Sequence, residues 1–436
     1  MITLEGIFSQ GNLNRALKNV KENKGAPGID GLTCDDFPQW FYDHPHELYK
    51  AIMNGTYKPK PIKRVYIPKE NGEKRPLGIP CVLDRIVEQA IAQSLSQEYD
   101  ETFSESSYGF RPNRGAHDAV KSIANYINNG YKYVVDLDIA KFFDTVSHGK
   151  ILRLLSEKIK DGRVISLINK ILTTKIIEGN CVTKPKFGLT QGAPCSPILA
   201  NILLDRLDKE LESRGHKFAR YADDIIIVCK SYKAAVRTFE SIVKFIEKKL
   251  LLKINQEKSK VQEIDHSIKF LGFSFYKVKR RDDNEESNTI YIPFIHEKSK
   301  ARLQNTIKTM FLPRRLRTSI EETKEKMKLY LMGWSHYFAL GLTKTTMREI
   351  DSWIRRRIRM TYLGVWKKDA TKENKLNALK TASNKVCHIV AYSSLGRWAK
   401  ALFSNKVITN KVIHENWGWP SIENIVTSKA WTVLGY

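Results

Sequence analysis

Phe218-Ala219-Arg220-Tyr221-Ala222-Asp223-Asp224-Ile225-Ile226-Ile227-Val228-Cys229 decides the reading of this chain. Two short apolar arms, 218–221 and 225–229, surround Ala222-Asp223-Asp224. That pattern predicts a β-hairpin with carboxylates at its tip. Adjacent carboxylates repel one another and are costly to bury unpaired. Their free pKa is about 3.9, so both are ionised at neutral pH. A divalent cation removes the repulsion. Hard oxygen ligands favour Mg²⁺, which keeps positions open for water and phosphate oxygens. An acidic surface turn would show the same two residues, but surface turns rarely interrupt strands this apolar.

A second acidic site lies upstream. Tyr133 to Ile139 reads as a buried strand carrying Asp136 and Asp138 at its end. Two metal ions roughly 3.5–4 Å apart can activate an attacking hydroxyl and stabilise a leaving oxygen, which is the machinery of nucleotidyl transfer. The intervening segment supplies Ser196 as an expected N-cap and Pro197 as an expected first helical residue. The helix they start places Leu199, Leu203, Leu207 and Leu211 on one face.

Further out, Leu13, Ala16, Leu17 and Val20 recur at helical spacing, and Gly25 to Gly31 breaks that helix with three glycines and a proline. Val65-Tyr66-Ile67-Pro68 and Leu77-Gly78-Ile79-Pro80 flank Glu70-Asn71-Gly72-Glu73, which predicts a basic hairpin. A helix is expected from about Val82 to Glu98. Residues 280–286 read as a solvated loop. From about Lys298 onward the pattern is helical and basic, with a break at Phe311-Leu312-Pro313.

The 436 residues exceed the usual size of one core, so two or more domains are expected. The chain has 73 Lys and Arg against 47 Asp and Glu, a formal charge of +26. Residues 296–436 hold 27 Lys and Arg against 10 Asp and Glu, a net +17. A surplus this concentrated points to a phosphate backbone. The longest apolar runs are too short to span a bilayer, and Met1 to Val20 lacks the pattern of a signal peptide. Nucleic acid is therefore the expected partner, with no membrane. None of the six cysteines forms a Cys-x-x-Cys pair, which argues against zinc and against a disulfide scaffold. A reducing, cytoplasmic compartment suits them.

Tyr221-Ala222-Asp223-Asp224 resembles the Tyr-x-Asp-Asp box of reverse transcriptases. Tyr108-Gly109-Phe110-Arg111-Pro112-Asn113-Arg114, Asp136 to Val146, Gln191-Gly192-Ala193-Pro194-Cys195-Ser196-Pro197 and Phe270-Leu271-Gly272-Phe273 follow in the expected order. Together they resemble the bacterial group II intron reverse transcriptase/maturase family over roughly Leu13 to Phe338, with a weaker fit beyond.

The resemblance implies an α+β, right-hand polymerase fold with fingers, palm and thumb. Its divisions would be an N-terminal extension with the start of the fingers (1–55), fingers (56–135), palm (136–295, with a fingers insertion around 150–190), a helical thumb or X domain (296–365) and a basic DNA-binding region (366–436). It implies that Asp138, Asp223 and Asp224 hold two Mg²⁺ ions, Mn²⁺ being able to substitute, with the Ile139 carbonyl as a further ligand.

Phe143 matches the steric gate under the sugar of the incoming nucleotide, while Phe142 beside it reads as core. Lys69 and Arg75 match triphosphate contacts, and Arg111 is a candidate for the same pocket. Gln191 matches a nucleotide and template contact. The family usually has a second glycine and often a leucine where this chain has Ala193 and Cys195. Lys258 matches the lysine that protonates the leaving pyrophosphate, with Lys260 close enough to be confused with it.

Tyr221, Phe270, Leu271 and Gly272 match primer and template contacts, although a buried strand would look like the last three. Gly333-Trp334-Ser335-His336-Tyr337-Phe338 resembles part of the thumb. Arg355, Arg356, Arg357, Arg359, Lys367, Lys368 and Arg397, interleaved with Trp366 and Trp398, resemble a nucleic-acid surface, since rings stack on exposed bases. The HNH endonuclease module of some relatives is not expected.

The function so implied is RNA-directed DNA polymerisation with dNTPs, on template or intron RNA, with primer and target DNA, together with assistance to intron splicing. Two other readings stay open: a free-standing relative in repair or phage defence, and a protein that serves chiefly as an RNA-binding splicing cofactor. The oligomeric state is also open, a dimer included.

Overall fold

Leu199, Leu203, Leu207 and Leu211 each have essentially no exposed surface, so the leucine stripe is the buried face of a helix. That helix spans Ser196–Ser213. Its N-cap is Cys195, not Ser196. The Ser196 hydroxyl donates to the Thr190 carbonyl at 2.8 Å instead of capping. The expected start therefore shifts by one residue, and Pro197 falls at the second helical position, where a missing N–H is still harmless.

The structure is a computed structural model that describes residues 2–44, 46–68, 72–279, 289–311 and 319–427. The chain divides into two compact units, Met1–Ile264 and Asp265–Tyr436. In chain order the strands of the first unit are β1 (Ile62–Pro68), β2 (Lys74–Ile79), β3 (Tyr133–Asp138), β4 (Ile176–Glu178), β5 (Cys181–Thr183), β6 (Lys217–Tyr221), β7 (Asp224–Cys229) and β8 (Lys260–Glu263). Those of the second are β9 (Phe273–Lys279) and β10 (Thr289–Ile295), an antiparallel pair.

One sheet of the first unit has the order β6-β7-β3-β8 and is antiparallel throughout. Its centre is β7, where Ile225, Ile226 and Ile227 are wholly buried. Burial at successive positions means that both faces are covered. Each such side chain contributes about 1.5–3 kcal/mol. The amphipathic helix Tyr232–Phe245 packs on β3, β7 and β8, and the helix Ala116–Asn128 packs on β6 and β7. The second sheet, β2-β1-β4-β5, contains the expected hairpin of β1 and β2. The helices Gln10–Glu22 and Val82–Tyr99 lie where periodicity places them, and they pack on each other.

The second unit is mainly helical beyond β10, with helices Glu297–Met310, Ile320–Tyr337 and Lys344–Val365 followed by shorter ones. The loop at 280–286 lies outside the described residues, as do Leu312 and Pro313; the first of these helices ends just before Phe311. Among the described residues no helix is long and apolar enough to cross a membrane. All six cysteines are free thiols.

Burial raises several carboxyls of the first unit, and Glu88 is the one raised furthest. Glu88, on the helix Val82–Tyr99, is buried and accepts from the Cys195 thiol at 3.3 Å. Burial raises its pKa from 4.5 to about 7. The folded state therefore holds this proton over a range where the unfolded chain has lost it. Stability from this group is greatest at low pH, falls as pH rises from about 4.5 to about 7, and stays low above that. Glu88→Gln keeps an acceptor for Cys195 without the charge. Its melting temperature should vary less with pH than the parent's across that window, and should exceed the parent's above it. Thermal melts of both proteins at a series of pH values check this.

Candidate active site

Asp138 closes β3 and Asp224 opens β7, and the ladder between these strands pairs them directly. Residues directly opposite in an antiparallel ladder have Cα atoms roughly 4.5–5.5 Å apart, and like charges so placed destabilise it. Asp223 sits beside them in the two-residue connection between Tyr221 and Asp224. Ala222 turns that connection with φ of 57°, a left-handed conformation that costs a non-glycine residue about 1–2 kcal/mol. The predicted hairpin with acidic tip is present.

Burial pushes the Asp223 carboxyl above the usual carboxylate range, and the neighbouring charge on Asp138 pushes it the same way. The charges of Arg75 and Arg220 pull it back. Burial likewise raises Asp136 to about 6, against the pull of Lys260. Lys260 faces Asp136 across β3 and β8, whereas the Lys258 ammonium lies 3.8 Å from Asp138 Oδ2. The two lysines thus lie beside different carboxylates.

Asp138 is held from the far side by the turn before β8. Its N–H donates to Ser259 Oγ at 3.0 Å, and its carbonyl accepts from the Asn255 N–H at 2.8 Å. Ile139 bridges to Ile254, but the hydrogen bonds around that bridge run through the Asp138 carbonyl and the Ala140 N–H. The Ile139 carbonyl takes no part in them.

Among the described residues no three His, Cys, Asp or Glu side chains cluster closely enough to hold an ion unaided. The candidate donors are the facing carboxylates of Asp138 and Asp224, with the Asp223 carboxyl close enough for its charge to feel Asp138. That chemistry fits Mg²⁺, which binds through one or two carboxylates and completes its shell with water and substrate phosphates.

Of the residues expected to meet a nucleotide, Arg75 lies on β2 and Gln191 in a loop beside it. Arg75 is exposed, and its charge reaches Asp223. Lys69 lies outside the described residues. The Gln191 carbonyl accepts from the Gly78 N–H at 2.8 Å, which pins the Gln191-Gly192 turn to β2. Gly192 has φ of 104°, and a Cβ there would meet the Gly78 carbonyl oxygen at 2.6 Å, so glycine is required. Phe142 is buried and Phe143 only partly so, packed against the core of the first unit.

Two predicted cations are elsewhere than expected. Arg111 is 8% exposed, and its guanidinium is committed to the Asp100 carboxylate at 2.7 Å and to the carbonyls of Asp100, Ser104 and Ser107. These bonds tie its own loop together. Arg359 is 5% exposed, donates to the Ile408 carbonyl at 2.7 Å and reaches Asn410 Oδ1 at 3.2 Å. It belongs to the interior of the second unit, where burial lowers its pKa to about 10. Of the remaining basic set, Lys367, Lys368 and Arg397 are exposed, and Arg355, Arg356 and Arg357 are partly so. Arg356 lies over the Trp398 ring at 3.8 Å, with Arg357 on the same ring at 5.7 Å.

Phe270-Leu271-Gly272-Phe273 is a tight turn, not a strand. Phe270 and Phe273 exchange both backbone hydrogen bonds, at 3.0 and 2.9 Å, while Leu271 and Gly272 take φ of 51° and 85°. Tyr337 donates its hydroxyl to the Leu271 carbonyl at 3.0 Å, and Ser299 donates to the Gly272 carbonyl at 2.9 Å. Sequence reasoning gave neither residue a role here. It also missed Arg220, discussed below, whose place in a strand beside a charged tip resembles that of any exposed cation.

Residues 67–275 match the reverse transcriptase (RNA-dependent DNA polymerase) domain family, and residues 300–379 match the group II intron maturase-specific domain. Across these two segments the chain is similar to group II intron reverse transcriptase/maturase proteins. Protein YkfC of Escherichia coli is 28% identical to this chain over 309 residues, 62% of this chain and 81% of YkfC. The group II intron-encoded protein LtrA of Lactococcus lactis is 29% identical over 342 residues, 63% of this chain and 56% of LtrA. An uncharacterised 91 kDa protein in the cob intron of Schizosaccharomyces pombe is 34% identical over 210 residues, 47% of this chain and 26% of that protein. The chain thus spans about half the length of LtrA. The match places the hairpin 217–229 and both acidic sites inside the polymerase domain.

Proposed function

We propose that this chain extends a primer 3′ end on an RNA template with deoxynucleoside triphosphates, using two Mg²⁺ ions for which Mn²⁺ can substitute. The observation that carries the reading is the direct pairing of Asp138 with Asp224, with Asp223 beside them, inside the matched polymerase domain. The ions would lower the pKa of the attacking hydroxyl and stabilise charge on the leaving oxygen. Asp138, Asp223, Asp224 and the Ile139 carbonyl would hold them.

The chain's own groups do the rest. Arg75 and Lys69 take the triphosphate, Gln191 and Phe143 line the sugar and base, and Lys258, next to Asp138, donates a proton to the departing pyrophosphate. Tyr221, Phe270, Leu271 and Gly272 contact the primer end. In this reading residues 1–55 and 56–135 form the extension and fingers, 136–295 the palm, 296–365 the thumb and 366–436 the DNA-binding region. Primer extension by purified protein on an RNA template with dNTPs and Mg²⁺ tests the polymerase; absence of extension would defeat it.

The maturase-specific domain supports a second role, binding group II intron RNA to assist splicing and mobility. Residues 296–436 carry most of the excess positive charge, and Arg355, Arg356, Arg357, Lys367, Lys368 and Arg397 would meet phosphates, with Trp398 as a stacking ring. A protein that neutralises several phosphates releases their counterions. Affinity for RNA should therefore fall about 10³-fold or more between 50 and 200 mM salt if six or more contacts form. A filter-binding titration at several salt concentrations reads the slope, and a flat profile would remove the phosphate-surface assignment.

A further inference from the structure

The catalytic hairpin rests on a polar cluster that belongs to none of the nucleotide, metal or primer contacts assigned above. At its centre Arg220, Asp208, Asn201 and Ser107 all have essentially no exposed surface. A buried arginine is tolerated only when its donors are paired, and here every one is. Nε donates to Asp208 Oδ1 at 2.8 Å and Nη2 to Asp208 Oδ2 at 2.5 Å, a bidentate fork. Nη1 donates to Asn201 Oδ1 at 2.8 Å and to the Ala222 carbonyl at 3.1 Å, and Nη2 donates to Ser107 Oγ at 2.7 Å.

These partners come from three parts of the chain. Asp208 and Asn201 lie on the helix Ser196–Ser213, Ser107 lies on the loop before the helix Ala116–Asn128, and Ala222 is the turn residue next to Asp223. The same loop is bound to β6 through its backbone, Arg220 N–H to the Ser106 carbonyl and Tyr108 N–H to the Arg220 carbonyl, both at 2.8 Å. Asn201 also donates to the Gly109 carbonyl at 2.9 Å. Gly109 lies so close that a Cβ there would stand 2.4 Å from the Ala222 nitrogen.

We propose that Arg220 is a positioning residue for nucleotidyl transfer: its hydrogen bond to the Ala222 carbonyl, braced by Asp208, Asn201 and Ser107, holds the left-handed turn that presents Asp223 and Asp224. The inference rests on the polymerase reading above. Lysine has a single point charge where arginine has a planar fork, so it cannot serve helix, loop and turn together. Loss of the brace lets Ala222 relax toward an ordinary conformation and moves both carboxylates. Misplacement on the scale of 1 Å costs about 10²-fold in rate.

The test is single-nucleotide incorporation with Mg²⁺ and dNTP varied independently. The double variant Arg220→Gln/Asp208→Asn removes both charges together, so no ion is left buried without its partner. Folded protein, judged by its melt, should show a rate reduced about 10–100-fold and a raised Mg²⁺ requirement, with the KM for dNTP changed less than about twofold. Asn201→Ala is the second variant, should the double variant fail to fold. It unties Arg220 Nη1 and Gly109 and should shift rate and Mg²⁺ requirement in the same direction by a smaller factor, and Arg220→Lys should not restore either. A folded variant with parental rate and Mg²⁺ requirement overturns the proposal. Asp223→Ala is run alongside. If it is inactive while the Arg220 variant is normal, only the positioning role falls. If Asp223→Ala itself extends normally, the two-metal reading falls instead.

Discussion

Asp224→Asn is expected to lower nucleotide incorporation by about 10³-fold or more while leaving the protein at least as stable as its parent. The two halves of this expectation have one cause. Asp138 and Asp224 face each other across β3 and β7, so in the free protein their charges repel. Asparagine is nearly isosteric and removes that repulsion, hence the unchanged or raised melting temperature. It also removes a negative oxygen from a site that must gather divalent cations and substrate phosphates, hence the lost rate. A merely structural carboxylate would behave in the opposite way, with activity falling only as far as folding does. Rapid-quench incorporation and a thermal melt on the same preparation separate the cases. Activity near the parental level would show that the facing pair is not the catalytic site.

The same stability–function opposition explains what could be read in advance. The apolar arms on either side of Ala222-Asp223-Asp224 announce a hairpin because period and composition are local properties, and the leucines at 199, 203, 207 and 211 announce a buried helical face for the same reason. Side chains whose environment is made by distant segments give no such sign. Arg220, Arg111 and Arg359 are indistinguishable in sequence from the exposed Arg75 and Arg397. Arg220 is interior only because Asp208 and Asn201 on the preceding helix and Ser107, 113 residues away, converge on its fork. The resemblance makes Arg111 and Arg359 candidate ligand contacts, yet carbonyl groups of the fold take up their donors. The turn at 270–273 was open to reading as a strand because leucine is a poor left-handed residue. Leu271 takes that conformation under ties from Tyr337 and Ser299 that no local pattern reveals.

Phe143→Val should reduce discrimination against ribonucleotides by about 10–200-fold, chiefly by raising kcat/KM for ribonucleoside triphosphates and with little change for dNTPs. The argument turns on rigidity as well as size. A ring excludes a 2′-hydroxyl only if it cannot move aside, and the backbone of Phe143 is held. The Leu189 N–H donates to its carbonyl at 2.6 Å. Gly188, with φ of 96°, approaches so closely that a Cβ would stand 2.9 Å from that carbonyl oxygen. The Gly188 carbonyl is in turn 2.7 Å from the buried His148 ring at Nε2. On the other side Phe142 packs edge-on at 5.3 Å between ring centroids. Valine replaces the ring by a short β-branched side chain in this clamp and leaves the buried Phe142 in place, so space opens at the half-exposed position where the sugar is expected to sit. Phe142→Val, by contrast, hollows the core and should lower stability without changing sugar choice. Paired measurements of kcat/KM for a matched dNTP and rNTP on one primer and template check the ratio directly. An unchanged ratio in Phe143→Val would place the gate on another residue.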